Sequence, residues 1–197
     1  MNPNNLKMKG KGAGLRPDLN LVLIGFRATG KTQAGRELAR ALGRDFVDLD
    51  EVLVQEAGRT IQELVALSGW AEFRRREKAL VQRYAGRRGL VLATGGGVVL
   101  DPENVEALQA GGLIVWLTAP PAAIQRRLAL DLPGGASRPS LTSRDPRAEV
   151  EEVLKSREPL YRAAARVVVH TDNLTVPEVV QEILSALKAG PEENYGR

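Results

Sequence analysis

Five short runs of aliphatic and β-branched residues, over 19–24, 46–49, 90–94, 113–117 and 167–170, are separated by stretches with helical periodicity. Strands that alternate with helices predict a parallel sheet covered by helices. The run Leu113-Ile-Val-Trp-Leu117 is apolar at every position, as in a strand buried on both faces, whereas an edge strand shows polar alternation. No internal repeat and no dividing linker interrupts this order, so residues 19–188 are expected to form a single α/β domain. Residues 1–18, rich in Asn, Gly and Lys, read as a flexible leader, and 189–197 as a flexible tail.

Two of the helical stretches carry a charge where the period calls for an apolar residue. Over 69–85, Trp70, Phe73, Glu77, Leu80, Val81 and Tyr84 share one stripe, which sets a carboxylate into an apolar face. Arg74, one turn earlier, is placed to pair with Glu77 and to present its guanidinium from a fixed position. Arg75, Lys78 and Arg83 fall off the stripe and read as solvated charge. In the helix that begins near Asp145, Val150, Val153, Leu154, Leu160 and Tyr161 define a stripe centred on Arg157, with Pro159 able to kink it. Buried arginine is rare unless it is paired or holds a ligand, and periodicity leaves both readings open. The stretch Asp131-Leu-Pro-Gly-Gly-Ala-Ser-Arg-Pro139 has no hydrophobic period. It reads as a mobile surface loop, either a passive connection or a lid over 131–142 that carries Arg138.

Composition narrows the chemistry available. The chain has no cysteine and one histidine, His170, which removes thiolate nucleophiles, zinc sites built on Cys or His clusters, and most Ser-His-Asp triads. His170, at a strand end, reads as structural or surface. Catalysis is left to carboxylates, Lys, Arg, backbone amides or a hard metal ion. Twenty-eight basic against 24 acidic residues give a net charge of +4, a mild excess that suits an anionic partner without choosing one. With aromatics at 4%, no interleaved stacking platform for bases is present, and nucleic acid is not expected. No window approaches the ~20 apolar residues that span a bilayer, and no signal-peptide core precedes the first strand. A cytoplasmic protein without a membrane partner is expected, and the lack of cysteine fits a reducing compartment.

The strongest local signal is Gly25-Phe-Arg-Ala-Thr-Gly30-Lys31-Thr32, which follows the first apolar run directly and opens an amphipathic segment over 31–42. Strand, glycine loop and helix stand in the order that a P-loop requires. Glycines let the backbone turn its N–H groups and a helix N-terminus onto phosphates, the lysine neutralises the β and γ oxygens, and the threonine hydroxyl ligates Mg²⁺. A glycine turn with a surface lysine would give the same letters without the context. The third run ends without a carboxylate for the metal, and the second supplies it as Phe46-Val-Asp48-Leu-Asp50. If this is strand throughout, Asp48 and Asp50 point the same way into the cleft at its carboxyl end. Alternatively, Asp50 caps the helix that follows. Thr94-Gly95-Gly96-Gly97 after the third run implies close approach of backbone to a ligand or to another segment.

Taken together, these elements resemble shikimate kinase. The residues that carry the likeness are the Gly25 to Thr32 loop, Asp48-Leu-Asp50, Phe73-Arg74 with Glu77, Gly95-Gly96-Gly97, Arg138-Pro139 and Arg157-Glu-Pro-Leu-Tyr161, in order, over about 19–187. The resemblance implies a three-layer α/β/α P-loop kinase fold with a five-stranded parallel sheet in order 2-3-1-4-5. It implies transfer of the ATP γ-phosphoryl group to the 3-hydroxyl of shikimate, giving shikimate 3-phosphate and ADP in aromatic amino acid (chorismate) biosynthesis. By the same likeness Asp50 binds the ring hydroxyls and accepts the proton, Arg74 and Arg157 hold the substrate carboxylate, and the amides of Gly95, Gly96 and Gly97 lie alongside. Gly25, Ala28, Thr29, Gly30, Lys31, Thr32 and Gln33 form the nucleotide cradle, and Thr32 and Asp48 serve Mg²⁺. Arg138 reaches the phosphates from the lid, Arg127 is the nucleotide-stacking arginine, and 171–177 is the adenine-side loop. Shikimate and ATP are the expected partners of a monomer.

The chain departs from the family pattern at four places. Ala28 stands where a loop glycine is usual, Ser140 where Leu commonly follows Arg-Pro, the lid is a few residues longer, and His170 stands where Asp is frequent. Ala28 suits the loop if its φ is negative. Two rivals share the signals, a sugar-acid kinase such as a gluconate kinase and a ligand-binding domain without turnover. The set Asp48, Asp50, Arg74, Gly95 to Gly97 and Arg157 argues against the first, and the filled catalytic positions argue against the second.

Overall fold

The computed structural model describes residues 18–130 and 146–189. The expected leader over 1–18 apart from Asp18, the lid over 131–142 with Arg138 and Ser140, and the expected tail over 189–197 apart from Ala189 lie outside the described residues. Among the described residues five parallel strands, β1 (Asn20–Ile24), β2 (Phe46–Asp48), β3 (Val91–Ala93), β4 (Gly112–Thr118) and β5 (Val167–His170), form one sheet in the order β2-β3-β1-β4-β5. Register is direct, with Leu21 beside Val91 and Leu113, and Val115 beside Val167. Among the described residues seven α-helices flank the sheet: α1 (Lys31–Leu42), α2 (Leu49–Ala57), α3 (Ile61–Ala85), α4 (Pro102–Gly111), α5 (Pro121–Leu130), α6 (Pro146–Ala164) and α7 (Val176–Ala189).

Alternation along the central strands divides the core into two layers. Leu21, Leu23, Val91, Val115 and Leu117 face Ala34, Leu38 and Ala39 of α1 and Val179, Val180 and Ile183 of α7. Val22, Ile24, Leu92, Ile114 and Trp116 face Val81 and Ala85 of α3, Leu108 of α4 and Tyr161 of α6. Both faces of β1 and of the β4 segment 114–117 are buried, which is why these strands read as apolar runs without alternation. All strands run one way, so their carboxyl ends open on one edge. That edge carries Gly25 after β1, Asp48 at the end of β2, Thr94 to Gly97 after β3 and Thr171 after β5, the place where parallel sheets bind ligands.

Several local expectations are corrected. The second strand stops at Asp48, and Leu49 already begins α2. Asp48 is the helix cap, accepting from the backbone N–H of Asp50 and Glu51, so strand alternation does not orient Asp50. A short side-chain acceptor placed before a helix captures its free N–H groups more readily than the strand extends. The stretch over 69–85 is the second half of α3, which kinks at Gly69 (φ 76°, ψ 170°). Leu160 is exposed and leaves the buried stripe of α6, although Tyr161 is fully buried. The loop after β5 is shorter than 171–177, because Val176 and Pro177 belong to the first turn of α7.

Candidate active site

Gly25 opens the loop at φ 138°, and a side chain there would run into the Leu117 carbonyl; only glycine lets β1 turn so close to β4. Thr29, buried, donates its hydroxyl to the Phe26 carbonyl at 2.8 Å. Lys31 Nζ lies inside the loop, donating to the carbonyls of Gly25 (2.9 Å) and Phe26 (2.7 Å). The N-terminus of α1 has no side-chain cap and no acidic residue in its first turn. Its amide donors and positive dipole end therefore suit an anion. Gln33 is exposed on the same turn. Thr32 Oγ1 donates to Asp48 Oδ2 at 2.6 Å. That contact joins the start of α1 to the cap of α2, so the carboxylate that caps one helix also sits at the N-terminus of the other.

Ala28 corrects an expectation, since its φ is +60°. An L-residue with a Cβ costs roughly 1–2 kcal/mol in this left-handed region. Two interactions accompany the conformation. The Ala28 methyl packs against the cluster of Phe26, Ala119, Ala123 and Ile124, and its carbonyl accepts from Arg127 Nη1 at 3.2 Å. The same guanidinium donates to Thr171 Oγ1 (2.9 Å) and to the Thr171 carbonyl (2.5 Å). Arg127 thus ties the P-loop to the loop after β5.

The second bay is bounded by α3, α6 and the glycine run, and is lined by Phe26, Arg27, Ile61, Trp70, Phe73, Arg74, Glu77, Gly95 to Gly97 and Arg157. Phe73 and Trp70 meet edge to face at 5.6 Å, and the Arg74 guanidinium lies 5.1 Å from the Phe73 ring centre. Arg74 Nη1 donates to Glu77 Oε2 at 2.5 Å, so the pairing expected from the helical spacing is present. Arg157, 8% exposed, donates to the Gly96 carbonyl at 3.0 Å, and the Tyr161 hydroxyl donates to the same oxygen. Stacked on Trp116, Tyr161 is itself fixed, and burial pushes its phenol up to about 12. The glycine run is bare because other groups fill the space. A Cβ on Gly97 would occupy the Arg74 guanidinium, and one on Gly95 would lie 2.7 Å from Glu77 Oε1 and 3.0 Å from Asp50 Oδ1.

Asp50, Arg74, Glu77 and Arg157 are therefore brought together around Gly95 to Gly97. Two carboxylates and two guanidiniums share one bay. Burial raises the pKa of Glu77 above the ordinary carboxylate range, opposed by the charges of Arg74 and Arg157. Its Oε1 is buried and accepts no hydrogen bond within the protein, which leaves an acceptor open toward the bay. Gly96 stands between the bays, since a Cβ there would lie 3.3 Å from the Arg27 N and 3.4 Å from the Gly25 O. The P-loop and the arginine bay are neighbours.

By contrast, Arg75 and Arg83 are exposed and pair with Glu72 and Glu56, and Lys78 pairs with Asp101 and Glu103. His170 is exposed at the end of β5. Sequence reading passed over Arg27, which no periodicity marks, and Tyr161, whose hydroxyl was hidden behind its place on an apolar stripe. Thr171 was marked only as the start of the adenine-side loop, and nothing in the sequence showed it as the anchor of Arg127.

The shikimate kinase family model matches residues 27–188. A shikimate kinase of Syntrophus aciditrophicus is 44% identical over 175 residues, covering 85% of this chain and 90% of the relative. Among solved structures, a shikimate kinase from Acinetobacter baumannii in complex with shikimate superposes with a TM-score of 0.81 at 34% identity, covering 87% of this chain and 93% of that one. A gluconokinase from Sinorhizobium meliloti shares the fold alone, with a TM-score of 0.57 at 19% identity. With the match running through the phosphate loop, the glycine run and both arginine helices, the chain belongs to the shikimate kinase family.

Proposed function

We propose that the two adjoining bays bind ATP and shikimate and that the residues around them carry the phosphoryl transfer of this family. The observation that carries the assignment is the meeting of Asp50, Arg74, Glu77 and Arg157 at Gly95 to Gly97, beside the P-loop. The guanidiniums of Arg74 and Arg157 hold the shikimate carboxylate in charge-assisted hydrogen bonds, which orient as well as bind. Asp50 holds the 3-hydroxyl and accepts its proton as the hydroxyl oxygen bonds to the γ-phosphorus. The bond from that phosphorus to the β-bridging oxygen breaks, and ADP leaves. Glu77 keeps Arg74 in place and offers Oε1 to a substrate hydroxyl.

The P-loop amides, the α1 N-terminus and Lys31 face the charge on the phosphates. Such a reaction depends on positioning and electrostatics more than on covalent chemistry, which suits a chain without cysteine. Arg138 joins from the segment between α5 and α6 by likeness to the family, and Arg127 meets the base by the same likeness. Among the described residues no three His, Cys, Asp or Glu side chains stand together to hold a metal. The hard oxygens of Thr32 and Asp48, 2.6 Å apart, fit Mg²⁺ shared with phosphate oxygens, its usual mode. When bound there, Mg²⁺ supplies neutralisation of the β and γ charge. A monomer working in the cytoplasm completes this reading, and the cysteine-free composition accords with that compartment.

A coupled assay of ADP release with shikimate, gluconate and nucleoside monophosphates tests the assignment. Turnover is expected with shikimate. Arg74→Ala and Arg157→Ala each lower kcat/KM for shikimate by roughly 10- to 100-fold, the worth of a hydrogen bond to a charged group, while KM for ATP holds. Lys31→Ala abolishes turnover in a folded protein. An unchanged shikimate kcat/KM in either arginine variant removes the carboxylate assignment.

A further inference from the structure

We propose that Arg127 is a positioning residue for the phosphate loop, required in this chain because alanine occupies a position that turns at positive φ. The proposal rests on the P-loop reading above. Ala28 sits at φ +60°, a conformation that glycine takes freely and alanine resists. Its carbonyl accepts from Arg127 Nη1 at 3.2 Å. Arg127 is anchored in turn by Thr171, through the hydroxyl at 2.9 Å and the carbonyl at 2.5 Å. Thr171 is fastened to the end of β4, its N–H donating to the Thr118 carbonyl at 2.8 Å. A chain of hydrogen bonds therefore runs from the sheet through one planar guanidinium to the backbone of the loop.

The consequence for binding follows from peptide geometry. A trans peptide is a rigid plane whose C=O and N–H point opposite ways, so holding the Ala28 carbonyl also holds the Thr29 N–H. Loop N–H groups are the donors that a phosphate meets. Without Arg127, Ala28 relaxes toward negative φ and rotates that donor away. With glycine at 28, nothing drives the rotation, and the clasp loses most of its purpose. Arg127 acts here on the phosphates through the backbone, independently of any contact it makes with a base.

Inorganic tripolyphosphate, which has no base, separates the two roles. Its binding is measured calorimetrically for the wild-type protein, Arg127→Met, Ala28→Gly and the double variant, with urea midpoints as a check on folding. We expect Arg127→Met to weaken binding about tenfold, the scale of one charged hydrogen bond. In the Ala28→Gly background the same change costs about threefold or less, the signature of coupled residues. Undiminished binding in Arg127→Met overturns the proposal, and so do equal losses in both backgrounds, which would mark a purely electrostatic effect of the lost charge. Arg127→Lys, which keeps the charge but lacks the fork that spans Ala28 and Thr171, stands in if the methionine variant does not fold, and is expected to lose binding likewise. Lys31→Ala is the separate control, because tripolyphosphate bound as tightly by that variant refutes the P-loop reading itself.

Discussion

Glu77 is the residue at which burial and charge oppose each other most directly. It is 4% exposed, paired with Arg74, and its carboxyl pKa is nevertheless raised, because desolvation outweighs the favourable charges of Arg74 and Arg157. Between the ordinary glutamate value, about 4.3, and the raised one, the folded chain holds a proton that the unfolded chain has released. Stability therefore falls as pH rises through that window. Glu77→Gln has no proton to release, so its urea midpoint relative to wild type is expected to climb from about pH 4 upward. A difference that stays constant with pH would show that desolvation does not dominate at this site. The pairing with Arg74 was readable from helical spacing alone. The raised pKa was not, because desolvation depends on how much of α6 and the glycine run closes over the carboxyl. Ala28 was likewise visible as a departure from pattern, but whether it sits at negative or positive φ is decided by the turn around it.

Among the elements, α2 shows one side chain serving two purposes. Asp48 caps the helix by accepting from the N–H groups of Asp50 and Glu51, and its other oxygen accepts from Thr32. Asp48→Asn keeps an amide oxygen for the cap and is expected to change stability by less than about 0.5 kcal/mol while lowering Mg²⁺-dependent turnover. Asp48→Ala loses both, with destabilisation of about 1 kcal/mol. Chemical denaturation beside the ADP-release assay separates these effects, and equal stability of the two variants would remove the capping role. Sequence pattern found all five strands, and the family likeness grouped Asp48 with Thr32 as candidates to serve Mg²⁺. The pattern misjudged where strand became helix, since the letters Val47-Asp48-Leu49-Asp50 satisfy both alternation and a capped start. The choice falls to the helix, whose first N–H groups need an acceptor that Asp48 supplies.

For the molecule as a whole, the sheet is the frame from which both bays hang. Leu92 on β3 is fully buried between Val22 of β1 and the helices of its face. Leu92→Ala should cost about 2–5 kcal/mol through the cavity it leaves, lowering Tm by several degrees. KM for ATP and shikimate should stay within about twofold well below the transition, because a rigid core that remains folded still presents the same strand ends. A large rise in either KM without loss of stability would mean that the cavity propagates into the site.

By itself the sequence determined what local chemistry can determine. Apolar runs specified strands, their fully apolar character specified a parallel sheet with both faces covered, and Gly25 to Thr32 specified a phosphate loop. Periodicity also marked Glu77 and Arg157 as charges on apolar faces, with Arg74 beside Glu77, but left open whether the arginines served internal ion pairs or a ligand. Only the tertiary structure decided that Asp50, Arg74, Glu77 and Arg157, drawn from three helices, converge on one run of glycines. It also decided that Arg127 reaches across to the loop at Ala28. The physical reason is distance along the chain. Spacing rules act within a few residues of one element, whereas Arg157 and Gly96 are 61 residues apart and meet because α6 packs on β4 and on the turn over Val98–Leu100 that follows the glycine run.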